Sequence, residues 1–190
     1  GRTDSGVHAQ GQGAHFDVLT SAVANMSADA LEPRQLQYVL NRILPTDLRI
    51  CNITKVGPAH EQSSLRHGFH ATKSAVSKMY VYRFCTNTLV DPLRRRVCVH
   101  EYRNIDISLL ERCLALFVGS HDFRAFTNRF EHTNKKDFGD REGVEYNTTR
   151  TVLSIELRQE DPGYYAIHIH LQSAVYRMVR NIVSTSLLVA

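Results

Sequence analysis

Asp4 sits in Arg2-Thr3-Asp4-Ser5-Gly6, a carboxylate on a turn that Gly6 allows to close tightly, with a guanidinium and two hydroxyls beside it. These residue types suit a catalytic loop that carries an acid, and equally an Asx-type turn closed by an exposed ion pair. His168-Ile169-His170 is a second candidate, because alternation along a strand puts both imidazoles on one face at a spacing that metal sites use. No carboxylate or third histidine arrives at a recognisable offset, so no metal site is expected and a place on a sheet face is the default reading. The run Arg94–Arg96 reads as a solvated strand end, or as phosphate contacts if the partner is a polyanion. No P-loop, dinucleotide fingerprint or nucleophile elbow occurs.

The elements that must position these groups follow from composition and periodicity. At 190 residues, 43% hydrophobic and 22% charged, the chain can bury a core. Its formal net charge of +4 is compatible with a polyanionic partner without establishing one. Cys51, Cys85, Cys98 and Cys113 form no CxxC pair, which argues against a zinc knuckle or a disulfide framework and for reduced thiols in an intracellular protein. No apolar run reaches bilayer length. The patterns predict strands over 13–18, 48–56, 77–86 and 94–102 and a helix over 33–45 whose apolar face is Leu36, Val39, Leu40 and Ile43. A second helix is capped by Asp106 or Ser108 and closed by Gly119. Residues 127–148 read as a surface insertion, residues 149–172 as a hairpin around Glu160-Asp161-Pro162-Gly163, and the tail as a helix with Val175, Met178, Val179 and Ile182 inward. This order describes two related α+β halves sharing one sheet.

Several segments, taken in order, carry a family resemblance. "GRTDSGVHA" (1–9) resembles the G-R-T-D-x-G-V-H-A loop of the TruA family of tRNA pseudouridine synthases. "LNRILP" (40–45) resembles that family's N-x-x-L-P segment, and "FHATKSAVSKMYVYRF" (69–84) its F-H-A block followed by Y-x-Y. "GSHDFRAFT" (119–127) is similar to its G-x-H-D-F-x-x-F loop, and "YRMVRNIVSTSLLVA" (176–190) to its M-V-R-N-I-V helix. The chain departs from the pattern at Thr72-Lys73, Ala174, Ser184 and Ala190, positions that bear on pocket detail.

The resemblance implies an α+β pseudouridine synthase fold, with a mostly antiparallel sheet shared by two α/β lobes (1–72 and 73–190) and the active cleft between them. It implies that Asp4 is the catalytic aspartate and that Arg180 pairs with its carboxylate. Tyr80 would stack on the uracil, and Arg2 and Thr3 would bind the displaced nucleotide. The reaction detaches uracil from C1′ of its ribose and rejoins it through C5, so no cofactor and no metal are expected. The implied partner is tRNA, modified in its anticodon stem-loop by a homodimer, with no membrane and no small-molecule cofactor involved. Cytoplasm is the expected compartment, with organelle or nucleus open, and the chain is read as a fragment cut just upstream of its catalytic loop. The rival readings are an inactive RNA-binding module of the same fold and a metal hydrolase built on His168 and His170.

Overall fold

The computed structural model describes residues 6–17, 32–56, 69–127 and 147–190. The chain divides into two compact units, Gly1–Ala75 and Val76–Ala190. Among the described residues no helix is long and apolar enough to cross a membrane.

In the first unit, α1 (Pro33–Ile43) opens on a proline, whose missing N–H costs nothing in a first turn, and stops at Leu44 ahead of Pro45. Leu36 and Leu40 are half-buried on it, whereas Val39 and Ile43 are exposed. The strand expected over 48–56 does not form, nor does one over 13–17, the described part of the 13–18 expectation. Ile50 shows the reason for 48–56. Its N–H donates to Asn41 Oδ1 at 2.8 Å, and its carbonyl accepts from Asn41 Nδ2 at 2.9 Å. Gln37 Nε2 likewise donates to the Cys51 carbonyl at 3.1 Å. Side-chain amides of α1 take the backbone groups that a neighbouring strand would otherwise have taken.

The second unit is built from β1 (Lys78–Cys85), β2 (Val99–His100), α2 (Ile107–Ala115), β3 (Gly119–Asp122), β4 (Thr149–Asp161), β5 (Tyr164–Leu171) and α3 (Met178–Val189). Its five-stranded sheet has the order β2-β1-β5-β4-β3. β1 and β2 run parallel, and every other pairing is antiparallel. The expected mixed, mostly antiparallel α+β fold is therefore present, but among the described residues all the strands come from the second unit rather than from both halves. One face of the sheet carries the core: Phe84, Val152, Ile167, Ile169 and Leu171 pack with Leu110 and Leu114 of α2 and with Met178, Ile182, Val183 and Leu187 of α3. Each such side chain contributes about 1.5–3 kcal/mol by leaving water. The tail helix thus buries the residues its periodicity picked out, with Val179 partly covered.

Two boundaries differ from expectation. The strand over 94–102 shrinks to Val99–His100, because Asp91 caps a single helical turn at Pro92–Arg94 by accepting from Leu93 N–H at 2.9 Å. α2 is capped by Asp106, which accepts from Leu109 N–H at 3.0 Å, but it ends at Ala115; Gly119, at φ +111°, begins β3 instead of closing the helix. Of the insertion expected over 127–148, residues 128–146 lie outside the described residues. The hairpin turn between β4 and β5 is Pro162-Gly163, with Asp161 opposite Tyr164. Gly163 is required there twice over: its φ is +73°, and a Cβ would come within 1.9 Å of Asn87 Oδ1.

Candidate active site

Alternation along β1 turns Tyr80, Tyr82 and Phe84 to the helix-covered face, where Phe84 is fully buried and both tyrosines are half-buried against the core. Tyr82 stands between charges of opposite sign. Burial first, then the Glu101 and Cys98 groups, push its phenol above the ordinary value, while the Arg180 guanidinium pulls it down. Glu101 is brought there by the chain beyond β2, its N–H donating to the Cys85 carbonyl at 2.8 Å. Arg103 fixes the carboxylate with bonds of 2.8 and 2.7 Å from Nε and Nη2, which hold the Glu101 carboxyl below its usual range.

Arg180 projects from a helix start that breaks local preference repeatedly. Arg177, the N-cap of α3, has φ +60°, a left-handed conformation that costs a non-glycine residue about 1–2 kcal/mol, and its side chain makes no capping bond. The first turn holds no acid, and Arg180 is exposed within it, where the positive end of the helix dipole disfavours a cation. Burial of Met178 and Ile182 on the opposite side of the helix keeps this start in place. A stable fold does not need such an arrangement. Conflicts of this kind concentrate at functional positions.

The segment before α3 in space is the turn after β3. Asp122 closes it by accepting from Arg124 N–H at 3.0 Å and from the Thr148 hydroxyl, and the hydroxyl bond is the first reason that its carboxyl titrates below the usual range. Phe126 stands edge-on to Phe117 and Phe123, with ring centroids at 5.2 and 5.9 Å. Its carbonyl accepts from Asn181 Nδ2 at 2.8 Å, which ties this turn to the first turn of α3. In the first unit the Phe69-His70-Ala71 motif forms a turn of its own: His70 Nδ1 accepts from Thr72 N–H at 3.2 Å and Lys73 N–H at 3.3 Å, and Ser74 Oγ bonds the His70 N–H at 3.0 Å.

Comparison with known proteins bears on what this arrangement belongs to. The family model described as tRNA pseudouridine synthase matches residues 114–190, the stretch from the end of α2 through α3. A tRNA pseudouridine synthase A 1 of Protochlamydia amoebophila is 33% identical over 190 residues, covering 100% of this chain and 63% of the relative. A protein of the same name from Desulfotalea psychrophila is 33% identical over 188 residues, 98% of this chain and 65% of the relative. A tRNA pseudouridine synthase A of Corynebacterium glutamicum is 30% identical over 190 residues, 100% of this chain and 59% of the relative. Over essentially its whole length the chain is thus similar to tRNA pseudouridine synthases A, and its residues 114–190 match the tRNA pseudouridine synthase family model. It spans less than two thirds of the length of the curated relatives it matches, 63% and 65% of the first two.

The structure places two of the expected site residues and leaves three outside its described part. Tyr80 is on β1 and Arg180 on α3, both in the second unit, with Tyr82 next to Arg180 in the charge field. Arg2, Thr3 and Asp4 lie outside the described residues. His168 and His170 fall on the sheet face away from the core, paired across the ladder with Val81 and Met79. His170 Nε2 bonds Ser77 Oγ at 2.9 Å, and burial, followed by the Arg158 charge, lowers the His168 pKa. Among the described residues no group of three or more His, Cys, Asp or Glu could hold a metal ion. Arg94 reaches Asp161 at 2.5 Å and lies 4.4 Å over the Tyr164 ring, a structural tie between the hairpin and the turn at 92–94. Sequence reasoning missed Glu101, which no motif marks, and it gave no role to Asn41, Asp122 or Asn181, although each stands inside a quoted motif.

Proposed function

We propose that this chain is the catalytic part of a tRNA pseudouridine synthase of the TruA family, which isomerises uridine to pseudouridine. The C1′–N1 bond of the target breaks, the uracil turns, and C1′ bonds C5; the C5 hydrogen leaves as a proton while N1 gains one, so atoms and electrons balance without a co-reactant. Asp4 acts in ionised form at the sugar or the base. Arg180 keeps it ionised, since a permanent, forked cation offsets the desolvation that a closed pocket imposes on a carboxylate. Tyr80 replaces the stacking that the target loses when it leaves the RNA, and Arg2 and Thr3 hold the displaced nucleotide.

The observation that supports this reading most is Arg180 itself, an exposed arginine in the first turn of a helix whose N-terminus disfavours it, beside the Tyr80–Tyr82 face of β1. We extend the proposal to a uridine of the anticodon stem-loop as target, to lobes over 1–72 and 73–190 with the active cleft between them, and to a homodimer as the working form. The decisive experiment measures tritium released from tRNA labelled with 5-[³H]-uridine. Release without added metal or cofactor is expected. RNA binding with no release would instead favour an inactive module of the same fold, and release that a chelator abolishes would favour metal chemistry.

A further inference from the structure

We infer that Asn181 is a positioning residue for Arg180: its side-chain amide holds the start of α3 in the one orientation that presents the guanidinium. The inference rests on the reading of Arg180 given above. Its geometry is independent of that reading. Asn181 follows Arg180 directly in α3, its N–H closes the first helical bond to the Arg177 carbonyl at 3.0 Å, and its Nδ2 donates to the Phe126 carbonyl at 2.8 Å in a partly buried contact.

The recipient of that bond is itself immobilised. Phe126 N–H donates to the Phe123 carbonyl at 2.9 Å, its ring packs edge-on against Phe117 and Phe123, and the carboxylate of Asp122 pins the same turn through Arg124 N–H and Thr148. The donor side is the strained one. Arg177 adopts φ +60° with no capping side chain, a conformation whose cost other contacts of the helix start must offset. An anchored acceptor and a strained donor segment, joined by a side-chain bond beside Arg180, make that bond one that restricts where Arg180 stands. The amide also leaves Phe126 O satisfied; without it a partly buried carbonyl loses its partner.

The test is a double-mutant cycle in the full chain, with Asn181→Ala, Arg180→Met and the combined variant. It is read by single-turnover tritium release on saturating tRNA and by equilibrium tRNA binding. Asn181→Ala should slow the single-turnover rate by about 5- to 100-fold, the range that the loss of one partly buried hydrogen bond spans. tRNA affinity should stay within about threefold, because binding rests on phosphate contacts elsewhere. The combined variant should be no slower than Arg180→Met alone. Should Asn181→Ala fail to fold, Asn181→Asp serves in its place: it keeps the shape, loses the donor when ionised, and adds an acid in a first turn, where the helix dipole favours one. Additive losses in the combined variant overturn the inference while leaving the role of Arg180 intact. A rate unchanged from wild type in a variant that merely melts earlier overturns it too. Full activity of Arg180→Met removes the functional reading and this inference with it.

Discussion

Replacing Arg180 with methionine should lower activity and, at neutral pH, stability as well, because a cation that keeps a desolvated carboxylate ionised couples to it more strongly than the helix dipole opposes it. The arginine is exposed, so little burial is lost; arginine and methionine have nearly equal helix propensity; and the cation sits in a first turn that contains no acid. Removing an unfavourable charge at a helix N-terminus returns about 0.3–1 kcal/mol. At neutral pH the lost pairing with Asp4, about 1.4 kcal/mol for each unit of its pKa, outweighs that return, so the unfolding midpoint in urea should fall. Catalysis should fall with it. If Arg180 holds Asp4 ionised, its loss raises the Asp4 pKa by an amount of the order of 1–3 units, and below the new pKa the carboxylate is protonated and idle. Single-turnover tritium release as a function of pH should therefore show the acid limb displaced upward, with activity lost first at low pH and recovered at high pH. Arg180→Lys should fall between, since it restores the charge without the planar fork. Far-UV circular dichroism in urea reads the first arm and the pH profile the second. A methionine variant that is more stable than wild type at neutral pH refutes the pairing with Asp4, and one that loses activity equally at every pH refutes the electrostatic role.

Asp4→Asn should abolish tritium release and leave tRNA affinity within a few-fold, because the amide keeps the shape of the carboxylate but supplies neither nucleophile nor base; substantial turnover would remove Asp4 from the mechanism. Gly163→Ala should cost about 1.5–3.5 kcal/mol in urea unfolding, the sum of a left-handed backbone and of the Asn87 amide displaced from its 3.0 Å bond to the Pro162 carbonyl. In an Asn87→Ala background only the backbone part should remain, and an unchanged cost there would show that the clash is not the cause. Glu101→Gln should lower the Tyr82 pKa, seen as earlier phenolate absorbance on raising the pH. The sign for stability follows: a phenol whose folded pKa is raised contributes fully below about pH 10, and the contribution is lost as pH climbs through the folded value. The Gln variant should thus lose less stability than wild type on the alkaline side; equal losses would exclude Tyr82 as the titrating group.

What the sequence made legible depends on how local the deciding interaction was. The hairpin, α3 and the cap at Asp106 were readable because their signals lie within a few residues: Pro-Gly between alternating strands, an apolar period along the tail, and an acid ahead of Leu109. Residues 48–56 alternate as well as many strands do, yet the partner that decides their fate is Asn41 in a preceding helix, and no local pattern announces that a side-chain amide will take both backbone groups of Ile50. The arginine run misled for a related reason. Val99 and His100 keep the strand, but Asp91 and Pro92 impose a turn just upstream, so Arg94 points at Asp161 and Tyr164 rather than along an edge.

The candidate site divides along the same line. Motif resemblance named Asp4, Tyr80 and Arg180 at once, since each stands in a short string that the resemblance matches residue by residue. It could not say how the fold holds them, because the holding contacts join distant segments: Asn181 to Phe126, Asp122 to Thr148, Glu101 to the end of β1. Each of these residues looked ordinary in the string. The physical signal that distinguishes them appears only in three dimensions, where Arg177 at φ +60° and an arginine in an acid-free first turn together raise the energy of the start of α3. Something must counter that energy for the helix to begin where it does. The buried side of α3 supplies the general part, through Met178 and Ile182, but apolar packing tolerates small rotations of a helix about its axis, and the pairing proposed for Arg180 would not. A directional bond at the first turn restricts that rotation, and Asn181 makes one.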